Sequence, residues 1–226
     1  MSAAVLPVPE GLAAERVAPI EPPLRALRRR LAGRYPVDPF GLDPQLADLA
    51  FPVMAAAVPV RVEGAEHVPA TGAATIVANR GLGVTEPPAL VLSVRRATGR
   101  RLRLVGFPPA PFVGGTFRRF GSIGASAADV GAALRAGHLV GVPLTPTWLR
   151  ADAGRAPTSL VSALTHAPII PAAIRPGGPF GLPVGAWLVR FGPIVELDEP
   201  YDPDDPLAAA RFADAMRTAV RTLLAH

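Results

Sequence analysis

From Val58 onward, short runs rich in Val, Ile and Leu alternate with longer Ala/Leu-rich runs, and this rhythm limits the possible folds more than any other feature. Two parallel strands need a crossover between them, usually a helix, so a chain of strand–helix–strand units builds an α/β layer fold. Strands are predicted over Val58–Val62, Ala74–Asn79, Leu102–Val105, Leu139–Pro143, Ile169–Ile174, Ala186–Phe191 and Ile194–Leu197. Helices are predicted over Pro88–Ala97, Phe112–Phe120, Ala127–Ala136, Ser159–Thr165 and Asp205–Ala225. The fold class is therefore α/β, a largely parallel sheet flanked by helices, and no internal repeat interrupts it. Ser126-Ala127-Ala128-Asp129 reads as a helix-capping start. Gly124-Ala125-Ser126 resembles a hydrolase nucleophile elbow but lacks its second glycine, which favours the cap.

Two segments precede the domain expected over 58–226. Residues 1–21 are rich in Pro and Ala without a period and are expected to be loosely ordered. Residues 22–57 hold two predicted helices. Leu24, Leu27 and Leu31 share one face of the first, its arginines largely occupy the others, and Gly33 ends it. Such a helix suits an anionic lipid interface or plain docking on the domain; a single short helix binds membranes weakly. Asp43 is placed to cap the second helix, with Pro44 at its first position, and Pro52 is expected to bend or interrupt it.

Charge and composition narrow the partners. All 23 basic residues are Arg, and the formal net charge is +5, which favours anionic partners. The absence of Lys beside abundant Ala, Gly, Pro and Val looks like the codon usage of a GC-rich bacterial genome, so Arg frequency alone argues little. There is no cysteine, hence no disulfide and no thiolate metal site, as suits a reducing cytoplasm. No His/Asp/Glu group has ligand spacing, so no metal is expected. Nucleic acid is not expected either: no zinc finger, RNA-binding signature or basic zipper region occurs, and aromatics make up 6% of residues. The longest apolar run, Leu49–Val60, contains Pro52 and Pro59 and falls short of the roughly 20 residues of a membrane span. No secretory signal opens the chain. The expected location is the cytoplasm, with peripheral contact at the inner face of the membrane.

Several segments, in order, resemble the glycerol-phosphate and lysophospholipid acyltransferase family. Val62-Glu63-Gly64-Ala65-Glu66-His67-Val68-Pro69 is similar to its lead-in, and Ala74–Asn79 to the strand that delivers its catalytic loop. Phe112–Gly121 is similar to the segment after its second motif, and Leu134–Pro143 to the approach to its third. Ala167–Ile174 and Arg190–Ile194 resemble its closing strands, and Tyr35–Gly41 the lead segment of some bacterial members. The resemblance implies an acyltransferase-like sheet, with acyl-CoA or acyl carrier protein as a substrate only if the protein is active, and no cofactor.

In that family Asn is followed by His, four further residues and Asp; the His deprotonates an acceptor hydroxyl that attacks an acyl thioester. Here Asn79 is followed by Arg80 at the His position, Thr85 stands at the Asp position, and Glu86 comes one place late. Guanidinium does not give up its proton near neutrality. The third motif, Phe-Pro-Glu-Gly-Thr-Arg, corresponds to Val142-Pro143-Leu144-Thr145-Pro146-Thr147, and the second motif's closing Arg falls on Ala127. The family's polar positions have thus changed together on strands that still read as intact. No catalytic residue is expected. Asn79, Arg80, Arg118, Arg119, Thr145 and Thr147 are the candidate ligand-binding residues, with Arg80, Arg118 or Arg119 holding a phosphate or carboxylate; Arg80 paired with Glu86 is the plain structural alternative. Arg95, Arg96, Arg100, Arg101 and Arg103 are expected on a solvated helix end, with a role at a lipid surface as the alternative.

Three functions fit. The first is a degenerate acyltransferase that binds a phospholipid, lysophospholipid or acyl chain. The second is an active acyltransferase with a non-standard base, either Glu86 or His138 or His166 folded into the cleft. The third is a protein-binding regulatory subunit of an active acyltransferase, with Phe107–Phe112 as the partner surface.

Overall fold

Uninterrupted apolar runs become the middle of the sheet. The structure, a computed structural model, describes residues 37–79, 86–105, 114–144, 166–176, 185–196 and 207–225, together with Arg25, Arg28, Ala32, Asp202 and Asp205. In chain order the elements are α1 (Pro44–Ala57), β1 (Val60–Glu63), a 3-10 turn (Ala65–His67), β2 (Ala74–Asn79), α2 (Glu86–Thr98), β3 (Leu102–Val105), α3 (Gly114–Arg119), β4 (Ser122–Ile123), α4 (Ala127–Arg135), β5 (Leu139–Leu144), β6 (Ile169–Arg175), β7 (Trp187–Phe191) and α5 (Ala208–Ala225). The strands form one seven-stranded sheet in the order β1-β7-β6-β2-β5-β3-β4. Only the β6–β7 pairing is antiparallel, so β1 and β7 run against the other five strands.

Both faces of the sheet are covered, which is why β2 is buried from Ala74 to Ala78 rather than alternating. Ile76, Ala78, Trp187 and Phe191 pack with Leu90 and Leu92 of α2 on one face. On the other, Val77 and Ile169 meet Phe212 and Met216 of α5, while Val140 and Val142 meet Val130 and Ala133 of α4. Each such large apolar side chain contributes about 1.5–3 kcal/mol.

Pro143 and Pro171 lie in interior strands because each stands where one neighbour has run out: β3 pairs with β5 only as far as Gly141, and β7 pairs with β6 only from Ala172. Gly141 admits Leu102 and Leu104 across its face; a Cβ there would lie 2.9 Å from a methyl of each. Gly64 has φ +67°, and a Cβ would lie 2.1 Å from the Phe191 carbonyl oxygen.

The local capping readings are met. Asp43 accepts from Leu46 N at 2.9 Å, and Ser126 Oγ accepts from Asp129 N at 3.1 Å, so Ser126 is a cap. Several expectations are corrected. α1 runs through Pro52 without interruption; the proline removes one N–H, and the helix is held from outside by ion pairs to Asp48. Ile194, Val195 and Glu196 form no strand. Pro193 lacks a donor, and Val195 N makes a single ladder-like bond to Ile169 O at 2.8 Å. The two-residue β4, too short to show a period, was not legible. The predicted helices over 22–33 and Ser159–Thr165 lie outside the described residues, save that Arg25 and Arg28 are helical.

The largest correction concerns the arginines between 95 and 103: Arg96 is exposed, as on a solvated helix end, but Arg95, Arg100 and Arg101 are half-buried, Arg103 is buried, and all five are tied to other parts of the fold. Arg96 donates to Val60 O at 2.7 Å. Arg100 donates to the carbonyls of Pro69, Gly72 and Gly137 at 2.9, 2.6 and 2.6 Å. Arg95 and Arg101 both donate to Asp48, at 2.7 and 2.9 Å, which ties α1 to α2 and β3. Arg103 is 1% exposed and pairs with Asp38, whose Oδ1 also accepts from the N–H groups of Phe40 and Leu42, both at 2.9 Å.

Candidate functional site

In open α/β sheets, ligands gather at the carboxyl ends of the parallel strands, where chain reversals leave a crevice. The family-like segments meet there. The β2–β5 register sets Asn79 beside Leu144, the last residue of each strand, so the chain leaves toward Arg80 and toward Thr145 from adjacent points about 5 Å apart. Arg80, Thr85, Thr145 and Thr147 themselves lie outside the described residues, as does Phe107–Phe112.

Asn79 has a structural task at this edge. Its Nδ2 donates to Ile174 O at 2.9 Å and its Oδ1 accepts from Ile174 N at 2.6 Å. The amide thereby stitches the ends of β2 and β6 and fixes where the next residue departs. Glu86 opens α2 and is 7% exposed; a carboxylate in a helix's first turn is favoured by the dipole.

Arg118 and Arg119 are not brought to this crevice. They close α3, which carries the chain from β3 back toward the start of β4. Gly41 packs against the Arg118 side chain, and the Arg119 carbonyl accepts from Asp43 N at 3.0 Å. Both therefore sit by the turn that precedes α1.

The described histidines are likewise elsewhere. His138 precedes β5 and His166 precedes β6, so both lie at the amino ends of strands. His67 follows β1, which runs the opposite way and ends at that same edge. A six-residue strand separates the two edges by about 20 Å. The placement of His138 or His166 in the cleft is therefore corrected: His138 meets the Phe40 ring edge-on at 5.3 Å, and His166 is exposed at the opposite edge.

Beside α2 runs an apolar groove of about 720 Å³. Phe51 and Met54 of α1, Val91 of α2, Leu104 of β3, and Phe117 and Phe120 around α3 form its walls. It reaches Pro87, next to Glu86, at one end and Arg95 and Arg101 at the other. Val53 and Phe120 on its lining are 71% and 41% exposed. α1 has no buried residue although it is apolar nearly throughout, because one of its sides borders this open space. No group of three or more His, Asp or Glu residues with metal-site geometry occurs among the described residues.

With this geometry in place, likeness to known proteins can be judged. No protein-family model matches the chain. An uncharacterized protein of Mycobacterium tuberculosis is 28% identical over 255 aligned positions, covering 88% of this chain and 71% of that protein. One of Mycobacterium leprae is 36% identical over 129 residues, 51% of this chain and 35% of that protein. Among solved structures, the 1-acyl-sn-glycerophosphate acyltransferase PlsC of Thermotoga maritima superposes with a TM-score of 0.50 at 15% identity, over 80% of this chain and 78% of the other. The fold is acyltransferase-like.

Sequence reasoning missed where the groove lies and the pairing of Arg95 and Arg101 with Asp48 beside it. One local signal was available. Asp48 is the sole charged residue of α1, and a lone acid in an apolar helix implies a cationic partner close by.

Proposed function

We propose that this is a lipid-site protein on an acyltransferase fold, inactive or impaired as an enzyme, that binds a phospholipid, lysophospholipid or acyl chain. One observation carries the reading. Arg80 follows Asn79 where the resemblance calls for a general base, and every described histidine lies at the far edge of the sheet. A guanidinium cannot accept the proton of an attacking hydroxyl, but it can hold a phosphate or carboxylate by charge-assisted hydrogen bonds. In this reading Asn79 fixes the loop and Arg80, with Thr145 and Thr147, holds the head group. The apolar groove that reaches Pro87 takes the chain, and Arg118 and Arg119 add positive charge on the α3 side. The protein works in the cytoplasm and touches the inner face of the membrane; among the described residues no helix is long and apolar enough to cross one. No cofactor takes part, and acyl-CoA or acyl carrier protein would enter only as a substrate of an active form.

A second reading retains catalysis and is favoured by the position of Glu86, buried at the head of α2 one place after the residue that stands where the family has its Asp. An acyl-thioester assay with lysophospholipid separates the two. The expected result is no turnover above the uncatalysed rate, with lipid found by native mass spectrometry of protein purified from its host. Turnover that disappears in Glu86→Gln would establish the second reading instead.

A further inference from the structure

An apolar helix ordinarily buries its inner side, and α1 does not. The residues that flank it are buried: Leu42 and Asp43 are each 1% exposed, Val58 and Val60 6% and 7%. Between them no residue of α1 is buried. Ala47, Ala50, Phe51 and Met54 line the groove, and Phe51 and Met54 touch the core only in part. Much of that side meets open space and lacks the dispersion contacts that would press the helix down. Charge ties the helix midway instead. Asp48 accepts from Arg95 of α2 at 2.7 Å and from Arg101, just before β3, at 2.9 Å. The Arg95 guanidinium carbon also lies 4.5 Å from the centre of the Phe51 ring. All three charged side chains remain between 14% and 20% exposed, so water and salt ions reach the tie.

The soft point of the helix lies at the same place. Pro52 has no N–H, so the Asp48 carbonyl receives no ladder bond from the position four residues on, and prolines are where helices bend sharply. We propose that α1 is a strap across the groove: fixed at both ends, it bows outward at Pro52 when Asp48 releases Arg95 and Arg101. The groove then widens to admit an acyl chain, and re-forming the ion pairs closes α1 over it. Arg95 and Arg101 act here as partners of Asp48, and the lipid makes no contact with their donors. Bowing costs little, because no fully buried side chain of α1 leaves the core and the ties that break are partly exposed ion pairs. Both ends hold meanwhile. Asp43 N donates to the Arg119 carbonyl at 3.0 Å, and Trp187 N donates to the Pro59 carbonyl at 2.8 Å.

This inference rests on the groove being a lipid site, and the experiment separates the two. Uptake and release of an uncharged fluorescent fatty-alcohol probe by the full chain are followed by stopped flow. Asp48→Asn is expected to speed both severalfold and to leave the affinity nearly unchanged. Added salt is expected to speed the wild type in the same way and to leave the variant alone; the salt response is a test by itself should Asp48→Asn not fold. The chain has no cysteine, so Asp48→Cys with Arg95→Cys gives a pair that a short bis-methanethiosulfonate joins across the strap. Uptake is expected to slow severalfold when the pair is joined and to recover on reduction. Equal uptake rates at low and high salt and in both variants overturn the strap and leave α1 a fixed wall of a chain site. Lower affinity in Asp48→Asn at an unchanged uptake rate overturns it too, since Asp48 then only supports the wall. A wild type that takes up no probe overturns this inference together with the groove reading beneath it.

Discussion

The two edges of the sheet use polar residues in opposite ways. At the amino edge, most of the donors named here are consumed by the fold. Arg100 gathers three carbonyls from separate loops, Arg96 takes the Val60 carbonyl, and His138 packs on Phe40. At the carboxyl edge, Asn79 spends its amide on one backbone position, Ile174, and the chain then turns into the stretch that resembles a catalytic loop. A side chain's chemistry therefore says little about function until its partners are known. Among the described residues, His138 and most of the Arg95–Arg103 group are built into the amino edge, and His67 and His166 stand at that same edge.

Substitutions can break this contrast or sharpen it. Arg100→Met is expected to have the largest effect, since hydrogen bonds from a charged donor contribute about 1.5–3 kcal/mol each and three backbone acceptors lose theirs. A loss of at least 3 kcal/mol by urea denaturation, with lipid affinity per folded molecule unchanged, would mark the amino edge as structural. Asp48→Asn comes next. Its two arginine partners are one-fifth exposed or less, and removing one member of a partly buried ion group costs roughly 2 kcal/mol after allowance for screening. Hydrogen exchange should then quicken in α1 before it does in β2. Asn79→Ala is expected to cost about 1–2 kcal/mol through the unpaired Ile174 backbone and to weaken lipid binding as well, because it frees the strand end that aims the following loop. An effect on stability alone would erase the distinction between the edges.

The smallest effect concerns the turn that leads into α5. Asp205 is held below its usual carboxylate range by the Leu207 backbone N–H and then by Arg211. A carboxyl whose folded pKa is depressed stabilises the native state above its unfolded value, near about 4, and that contribution vanishes as pH falls through the folded value. Asp205→Asn should therefore narrow the stability difference between pH 6 and pH 3 slightly, as read from thermal midpoints.

Much of the fold was legible in the chain. Ala74–Asn79 and Leu102–Val105 coincide with observed strands, and β5, β6 and β7 differ from expectation by a residue at an end; for β2, β5 and β6 the reason is that a strand buried on both faces shows itself as a continuous apolar run. The caps at Asp43 and Ser126 were legible because their partners lie three residues away. Ile194 failed because its β-rich composition carried no information on whether a neighbour would be there to pair with.

The sequence by itself determined the alternation, the class of the sheet, and the absence of a proton acceptor at position 80; each depends on local period or on the identity of one residue. Tertiary structure alone decided the partners of the arginines, the edge on which the histidines stand and the existence of the groove. Asp38 and Arg103 are 65 residues apart in the chain, and Asn79 and Ile174 are 95 apart. No local pattern encodes such meetings, because packing two faces of one sheet sets them all at once.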